Sequence, residues 1–144
     1  MKLLTNKRGT AVLEFAIILP LLLTILFGIV EFGILLYDKA VITNASREGA
    51  RAGIVSRDPR VSDDDIQTVV KNYCKNYLIT FGADTIENDD IVISPPYGTR
   101  SSAGFGTDVT VDVTYHYDFL ALPNFITTLL GGINLQATTL MKME

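Results

Sequence analysis

The pattern of apolar and polar residues divides the chain into one long apolar run and a following part in which the two alternate. The run is Phe15–Tyr37, and its only charged residue is Glu31. Its 23 residues rise about 34 Å as a helix, more than the roughly 30 Å hydrocarbon core of a bilayer. The run therefore predicts a membrane-spanning helix.

The helical pattern continues beyond the run. Residues 38–55 are rich in alanine and glycine, and no proline interrupts them before Pro59. Small side chains allow a neighbouring helix to approach closely, and a residue before proline is pushed out of the helical region. We expect one rod from about Thr10 to Arg57, a transmembrane helix continuing into a stalk. Arg47 and Arg51 share one of its faces, close to Glu48.

A second helix is predicted directly after the stalk. Ser62 and Asp65 have capping spacing, and Asp63 and Asp64 add negative charge to the first turn, where the helix dipole favours it. An apolar stripe then continues at spacings of three and four as far as Gly82. Its members are Ile66, Val69, Val70, Tyr73, Tyr77 and Phe81.

The remaining residues predict a small antiparallel sheet. Alternation with period two indicates long strands over 108–118 and 133–144, and Ile91–Ile93 indicates a brief third strand. The long strands are separated by 14 residues, ending in a turn at Gly131-Gly132, so we expect them to pair antiparallel. The apolar connection would pack over the sheet, and the stalk and second helix would cover its buried face. The expected fold class is α+β.

Charge gives the orientation and argues against nucleic acid as a partner. The chain carries 12 basic and 16 acidic residues, a net charge of -4. Three of the basic residues precede the apolar run with no acid among them, which predicts a cytoplasmic N-terminus and an exported remainder. Without residues 1–9 the net charge is -7, and no basic stripe remains to neutralise phosphates.

Candidate catalytic groups are few. The chain contains no HExxH, GxSxG, GxxxxGK[ST] or CxxC pattern. His116 falls on the polar face of a strand beside Asp118, and Cys74 lies next to an apolar stripe, typical of a small buried side chain. Asp63–Asp65 lack the alternating spacing of a calcium loop, so helix capping is the preferred interpretation. We expect no enzyme activity, cofactor or metal.

The most specific local pattern is Gly9 followed by Glu14 at the start of the apolar run. A cut between Gly9 and Thr10 would remove only the basic leader, whereas a secretory signal loses its apolar stretch. The new ammonium group of Thr10 could then be neutralised by Glu14 of a neighbouring chain. Pro20 would be a local unwinding point once helices pack. Alternatively, Glu14 and Glu31 are about 25 Å apart along a helix and lie near opposite interfaces without partners.

Three motifs in order resemble type IV prepilin-like proteins, and most closely the TadE-like pseudopilins of tight-adherence (Flp-type) pilus systems. They are RGTAVLEFAIILP at Arg8–Pro20, GIVEFG at Gly28–Gly33 and ASREGARAG at Ala45–Gly53. The resemblance implies that a prepilin peptidase cuts after Gly9. It assigns assembly or helix-packing roles to Glu14, Phe15, Pro20, Gly28, Glu31, Gly33, Arg47, Glu48, Gly49 and Arg51.

The resemblance implies a structural pilus subunit with three segments: a leader over 1–9, a transmembrane helix and stalk over 10–57, and an extracytoplasmic α+β domain over 58–144. Its partners would be the peptidase, other pilin-like subunits, the inner-membrane assembly machinery and lipid, in a prokaryotic inner membrane or an extracellular pilus. The alternative is a static single-pass membrane protein whose exported domain binds a ligand or a partner. Tyr97 and Phe105, in the loop predicted over Tyr97–Gly106, either contact a partner or pack back onto the domain.

Overall fold

The fold is α+β, as expected: a long helix packed with a second helix on a small antiparallel sheet. The structure, a computed structural model, describes residues 7–80, 86–119 and 131–144, with side chains from Gly9 onward. The elements are α1 (Lys7–Ile54), α2 (Asp63–Tyr77), a 3-10 turn (Asn88–Asp90), β1 (Ile91–Ser94), α3 (Tyr97–Arg100), β2 (Asp108–Tyr117) and β3 (Ile133–Lys142).

The described sheet has three strands in the order β1-β2-β3, with both neighbouring pairs antiparallel. In the long pair, Tyr117 lies opposite Ile133 and Asp108 lies opposite Lys142. The predicted alternation and the antiparallel pairing are therefore confirmed. Ile133 departs from the pattern because it is exposed at the end of the strand. The expected packing of the β2–β3 connection falls mostly on residues 120–130, outside the described part of the chain.

The core lies between the distal half of α1, α2 and the buried face of the sheet. A methyl group added at Gly49 would lie 2.6 Å from Val70 Cγ2 of α2, and one at Gly53 would lie 3.0 Å from Ile66 Cδ1. The small residues of the predicted stalk are thus needed for close contact within one chain. The distal half of α1 is part of the domain core.

The first helix ends at Ile54, three residues before the predicted end at Arg57. The backbone N–H of Glu144 donates to the Ile54 carbonyl at 3.2 Å, so the end of the chain provides a partner for one of the last helical carbonyls. This contact between distant residues is not visible in the local sequence.

The second helix ends at Tyr77, and the prediction that it continues to Gly82 was wrong at Leu78–Thr80, where the chain is not helical. Leu78 is extended, and the N–H of Ile79 donates to Asp38 Oδ1 at 3.0 Å. A tertiary hydrogen bond thus replaces the next helical turn. Phe81 and Gly82 lie outside the described residues.

The predicted loop over Tyr97–Gly106 contains one helical turn, α3, which local composition did not indicate. Asp63 holds this turn in place: its Oδ2 accepts the N–H of Tyr97 at 2.8 Å, and its Oδ1 is 2.7 Å from Arg100 Nη2. Arg100 is fully buried and also donates to the Val61 carbonyl at 2.8 Å. A charged side chain is rarely buried without such a partner.

Candidate functional site: the apolar arm and the base of the domain

The proximal part of α1, residues 9–30, is an exposed apolar arm. Its large side chains from Val12 to Val30 are exposed, with Leu19 half-buried. By length and composition, α1 qualifies as a membrane-spanning helix. Exposed apolar surface of this extent on a folded protein indicates contact with lipid or with other proteins.

The predicted cleavage and assembly residues all lie on this arm. Gly9 and Thr10 are exposed within the first turns of α1, and Glu14 lies one turn further on, also exposed. Phe15 is 61% exposed. The structure thus places these residues together at the end of the arm that is distant from the domain.

Pro20 lies within α1, and the helix is continuous through it. The hydroxyl of Thr24 donates to the Pro20 carbonyl at 2.8 Å, one turn along. This bond does not replace the N–H that proline lacks, whose helical acceptor would be the carbonyl of Ala16, four residues earlier. The predicted unwinding concerns packed helices, and it stays a prediction.

Glu31 lies where the arm meets the domain. Its side chain is 3% exposed, and its Oε1 accepts a hydrogen bond from the hydroxyl of Tyr117 at 2.6 Å. The alternative was therefore wrong in leaving Glu31 without a partner. Burial, followed by the hydrogen bond to Glu31, raises the pKa of Tyr117, so the phenol remains a donor at neutral pH. The partners are 86 residues apart, and no local pattern indicates the pair.

Asp38 lies two helical turns beyond Glu31 and is fully buried. Its Oδ1 accepts the N–H of Ile79, whereas its Oδ2 has no hydrogen-bond partner among the described residues. Burial raises the pKa of Asp38, and the Ile79 hydrogen bond opposes that change. The next residue, Lys39, reaches the sheet instead, and its Nζ donates to the carbonyl of Gln136 in β3.

The remaining predicted packing residues divide into two groups. Gly49 is buried against α2, as described above. The others are not buried in the core: a methyl group at Gly28 or Gly33 would meet no side chain within 4 Å, and Arg47, Glu48 and Arg51 are exposed. These residues are on the outer surface of α1, available to other molecules.

Of the two side chains considered for catalysis, Cys74 is buried in the core and His116 is hydrogen-bonded on the surface of the sheet. Cys74 is buried, and burial raises the pKa of its thiol to about 12, which makes it a poor nucleophile. His116 is on the exposed face, with Nδ1 2.7 Å from Asn134 Oδ1 and Nε2 3.4 Å from Asp118 Oδ1.

The acidic start of α2 acts as a helix cap, as predicted. The N–H of Asp65 donates to Ser62 Oγ at 3.1 Å, and the hydroxyl of Ser62 donates to Asp65 Oδ2 at 2.8 Å. Within the described ranges, no three acidic, histidine or cysteine side chains are grouped so that they could hold a metal ion. The role of Asp63 in binding Arg100 was missed, since Arg100 is distant in sequence.

The two loop aromatics differ in exposure. Tyr97 is half-buried against the domain, whereas Phe105 is 88% exposed. Tyr97 therefore packs partly onto the domain, whereas the side chain of Phe105 is available to contact a partner.

A comparison with known protein families finds a match over the part of α1 that contains the arm, Glu31 and most of the small residues. Residues 9–51 match the model of a family described as TadE-like protein. This match to the family of TadE-like proteins confirms the resemblance over that segment and associates the chain with the Tad pilus system. TadE-like proteins are pilus components and are not known as enzymes. No curated protein and no solved structure matches the chain.

Proposed function

We propose that the protein is a structural subunit, a pseudopilin or minor pilin, of a Tad-like pilus, assembled through its N-terminal helix after cleavage between Gly9 and Thr10. The observation that carries this proposal is the exposed apolar arm within the TadE-like segment. The segments would act as a leader (1–9), a membrane helix and stalk (10–57) and an extracytoplasmic domain (58–144).

The assembly step follows from the cost of charge in an apolar layer. An isolated ion at the centre of a membrane costs about 3 kcal/mol or more. Cleavage would create an ammonium group at Thr10 beside lipid, and the exposed Glu14 of a neighbouring subunit would neutralise it. Pairing the two ions would favour association and fix the axial register of the subunits. Phe15 would add apolar contact there, and Pro20 would let the packed helix adjust.

The leader requires a prepilin peptidase with access to the cytoplasmic side of the inner membrane. The exported domain would then stay outside the membrane until the machinery moves the arm into a filament. The other pilin-like subunits contact the arm and the exposed residues Gly28, Gly33, Arg47, Glu48 and Arg51. The filament would serve surface attachment, secretion or a related task.

The test is incorporation of Glu14→Ala into filaments, measured as the fraction of the subunit in the sheared pilus relative to the membrane. We expect cleavage and membrane insertion to be unchanged and incorporation to fall by about tenfold or more, since the partner of the new ammonium is lost. Asp89→Ala, which removes an exposed carboxylate from the domain, away from α1, is the control. Normal incorporation of Glu14→Ala would remove the proposed pairing.

A static membrane protein with a binding domain predicts a different pattern. In that case Met1 is retained on the working form, and neither variant changes its distribution between membrane and filament.

A further inference from the structure

Strand β2 lies along α1, and successive contacts between them show that β2 runs from the distal end of α1 toward the arm. A methyl group at Gly53 would lie 3.4 Å from Val109 Cγ1, and one at Gly49 would lie 3.4 Å from Val111 Cγ1. At the other end of β2, Tyr117 donates to Glu31. The end of the β2–β3 pair is therefore level with Glu31, at the base of the arm.

This end extends further toward the arm than α2 does. The second helix and the two residues after it also lie along α1, from Ile66 beside Gly53 to Ile79, whose N–H donates to Asp38. Asp38 is seven residues beyond Glu31, about 10 Å along the helix. The strand end therefore overhangs the end of α2 on the membrane side.

The overhang determines how deeply α1 can be immersed. If all of Phe15–Tyr37 lay in hydrocarbon, the level of Glu31 would be about 9 Å inside it. His116 and Asp118, at the same strand end, have side chains 57% and 60% exposed, so they would lose water at high cost. Placing the outer hydrocarbon boundary at Glu31 instead leaves Thr10–Val30 to span about 32 Å, which matches a bilayer core.

At the level of Glu31, the strand end and the adjacent turn of α1 carry apolar side chains that are exposed or half-buried. Phe32 is 61% exposed and Ile133 is 41% exposed, and Phe119 is half-buried beside Tyr117, with ring centroids 6.1 Å apart. His116, Asp118 and Asn134 add polar groups at the same level. Apolar side chains with polar neighbours are typical of surfaces that lie at the boundary of headgroups and acyl chains.

We propose that the end of the β2–β3 pair, Tyr117–Phe119 with Gly131–Ile133, docks on the outer phospholipid headgroup layer as a second lipid contact. The Tyr117–Glu31 hydrogen bond holds this surface at a fixed depth. The proposal rests on the membrane-spanning arm of the proposed function. It adds that the exported domain lies directly on the bilayer until the subunit is withdrawn from it.

The chain contains no tryptophan, so single-tryptophan variants report local depth by fluorescence. The full chain would be placed in vesicles of phosphatidylcholine and phosphatidylglycerol whose acyl chains are brominated near the headgroup. Ile133→Trp tests the strand end, and Ile29→Trp reports the arm. Leu140→Trp is the matched control, because Leu140 is also exposed on β3 but lies near its opposite end. We expect bromine to quench Ile133→Trp at least about twofold more than Leu140→Trp.

The outcomes separate this inference from the proposed function. Equal, weak quenching of Ile133→Trp and Leu140→Trp with strong quenching of Ile29→Trp would overturn the docking surface and leave the arm in place. Weak quenching of all three would overturn the membrane span, and both proposals with it. If Ile133→Trp does not fold, Phe32→Trp reports the membrane depth of the same level, and it only exchanges one aromatic side chain for another. Shallow bromine should quench Phe32→Trp more than deep bromine does, and no quenching would contradict the inference.

Discussion

The two halves of α1 belong to one continuous helix yet have opposite surroundings. The arm, residues 9–30, exposes large apolar side chains, whereas residues 41–53 bury small ones such as Ala45 and Gly49 against α2 and the sheet. Glu31, bonded to Tyr117, marks the transition. Small residues therefore mark the part of α1 that packs within the chain. Large apolar residues mark the part that requires lipid or another subunit as its partner.

The strongest test of this difference is Gly49→Leu, compared with Gly33→Leu on the same helix. A larger side chain at Gly49 must displace Val70 of α2, whereas Gly33 has open space. We expect Gly49→Leu to lower the free energy of unfolding by about 3 kcal/mol or more, from overpacking. Gly33→Leu should not lower it, and the loss of a glycine from the helix interior should raise it by up to about 1 kcal/mol.

Chemical unfolding of the domain in detergent, followed by near-UV circular dichroism, would measure both variants. Similar losses for the two glycine variants would show that close packing is not specific to the distal half.

A smaller effect is expected at the transition itself, from Tyr117→Phe. The substitution keeps the ring in the core and removes the hydroxyl that donates to the buried Glu31. We expect a loss of about 1–3 kcal/mol in the free energy of unfolding. Tyr77→Phe is the control, since Tyr77 is 52% exposed. An equal, small effect of both variants would show that the hydrogen bond does not fix the base of the domain.

The smallest effect concerns pH, through Asp38. Burial raises its folded-state pKa above the ordinary value of 3.8. As the pH rises, the unfolded chain therefore loses this proton at a lower pH than the folded chain does. The contribution of Asp38 to stability is therefore full below pH 3.8 and is lost as the pH rises through the folded-state pKa.

Asp38→Asn, which keeps an oxygen for the N–H of Ile79, should lack this decline. The difference in unfolding free energy between the two proteins, measured as a function of pH, should favour the variant increasingly as the pH rises. A difference that does not change with pH would contradict the role of burial at Asp38.

Periodic patterns predicted the elements, but contacts between distant residues determined where several of them end. The alternation of Asp108–Tyr117 and the capping at Ser62 are local, so the strand and the start of α2 were predicted correctly. After α2 ends, the N–H of Ile79 donates to Asp38, and at the end of α1 the carbonyl of Ile54 accepts the N–H of Glu144. Neither contact has a local signal.

The candidate site shows the same division. Gly9, Thr10 and Glu14 could be proposed from the sequence because a basic segment, a glycine and an acidic residue follow each other at short spacing, and their roles stay predictions. The pairs Tyr117–Glu31 and Arg100–Asp63 join separate elements. In each, the buried Glu31 or Arg100 is covered by chain segments far away in sequence, so no local pattern indicated the pair.

In the proposed function, the arm becomes an assembly element when the leader is removed. The most direct test of this step is the N-terminus of the protein in membranes and sheared pili, determined by intact mass and N-terminal sequencing, with Gly9→Leu as the uncleaved control. We expect a wild-type chain that begins at Thr10, and an uncleaved Gly9→Leu chain held in the membrane because a bulky residue replaces glycine at the cut. A wild-type chain that retains Met1 in its working form would contradict the proposed function.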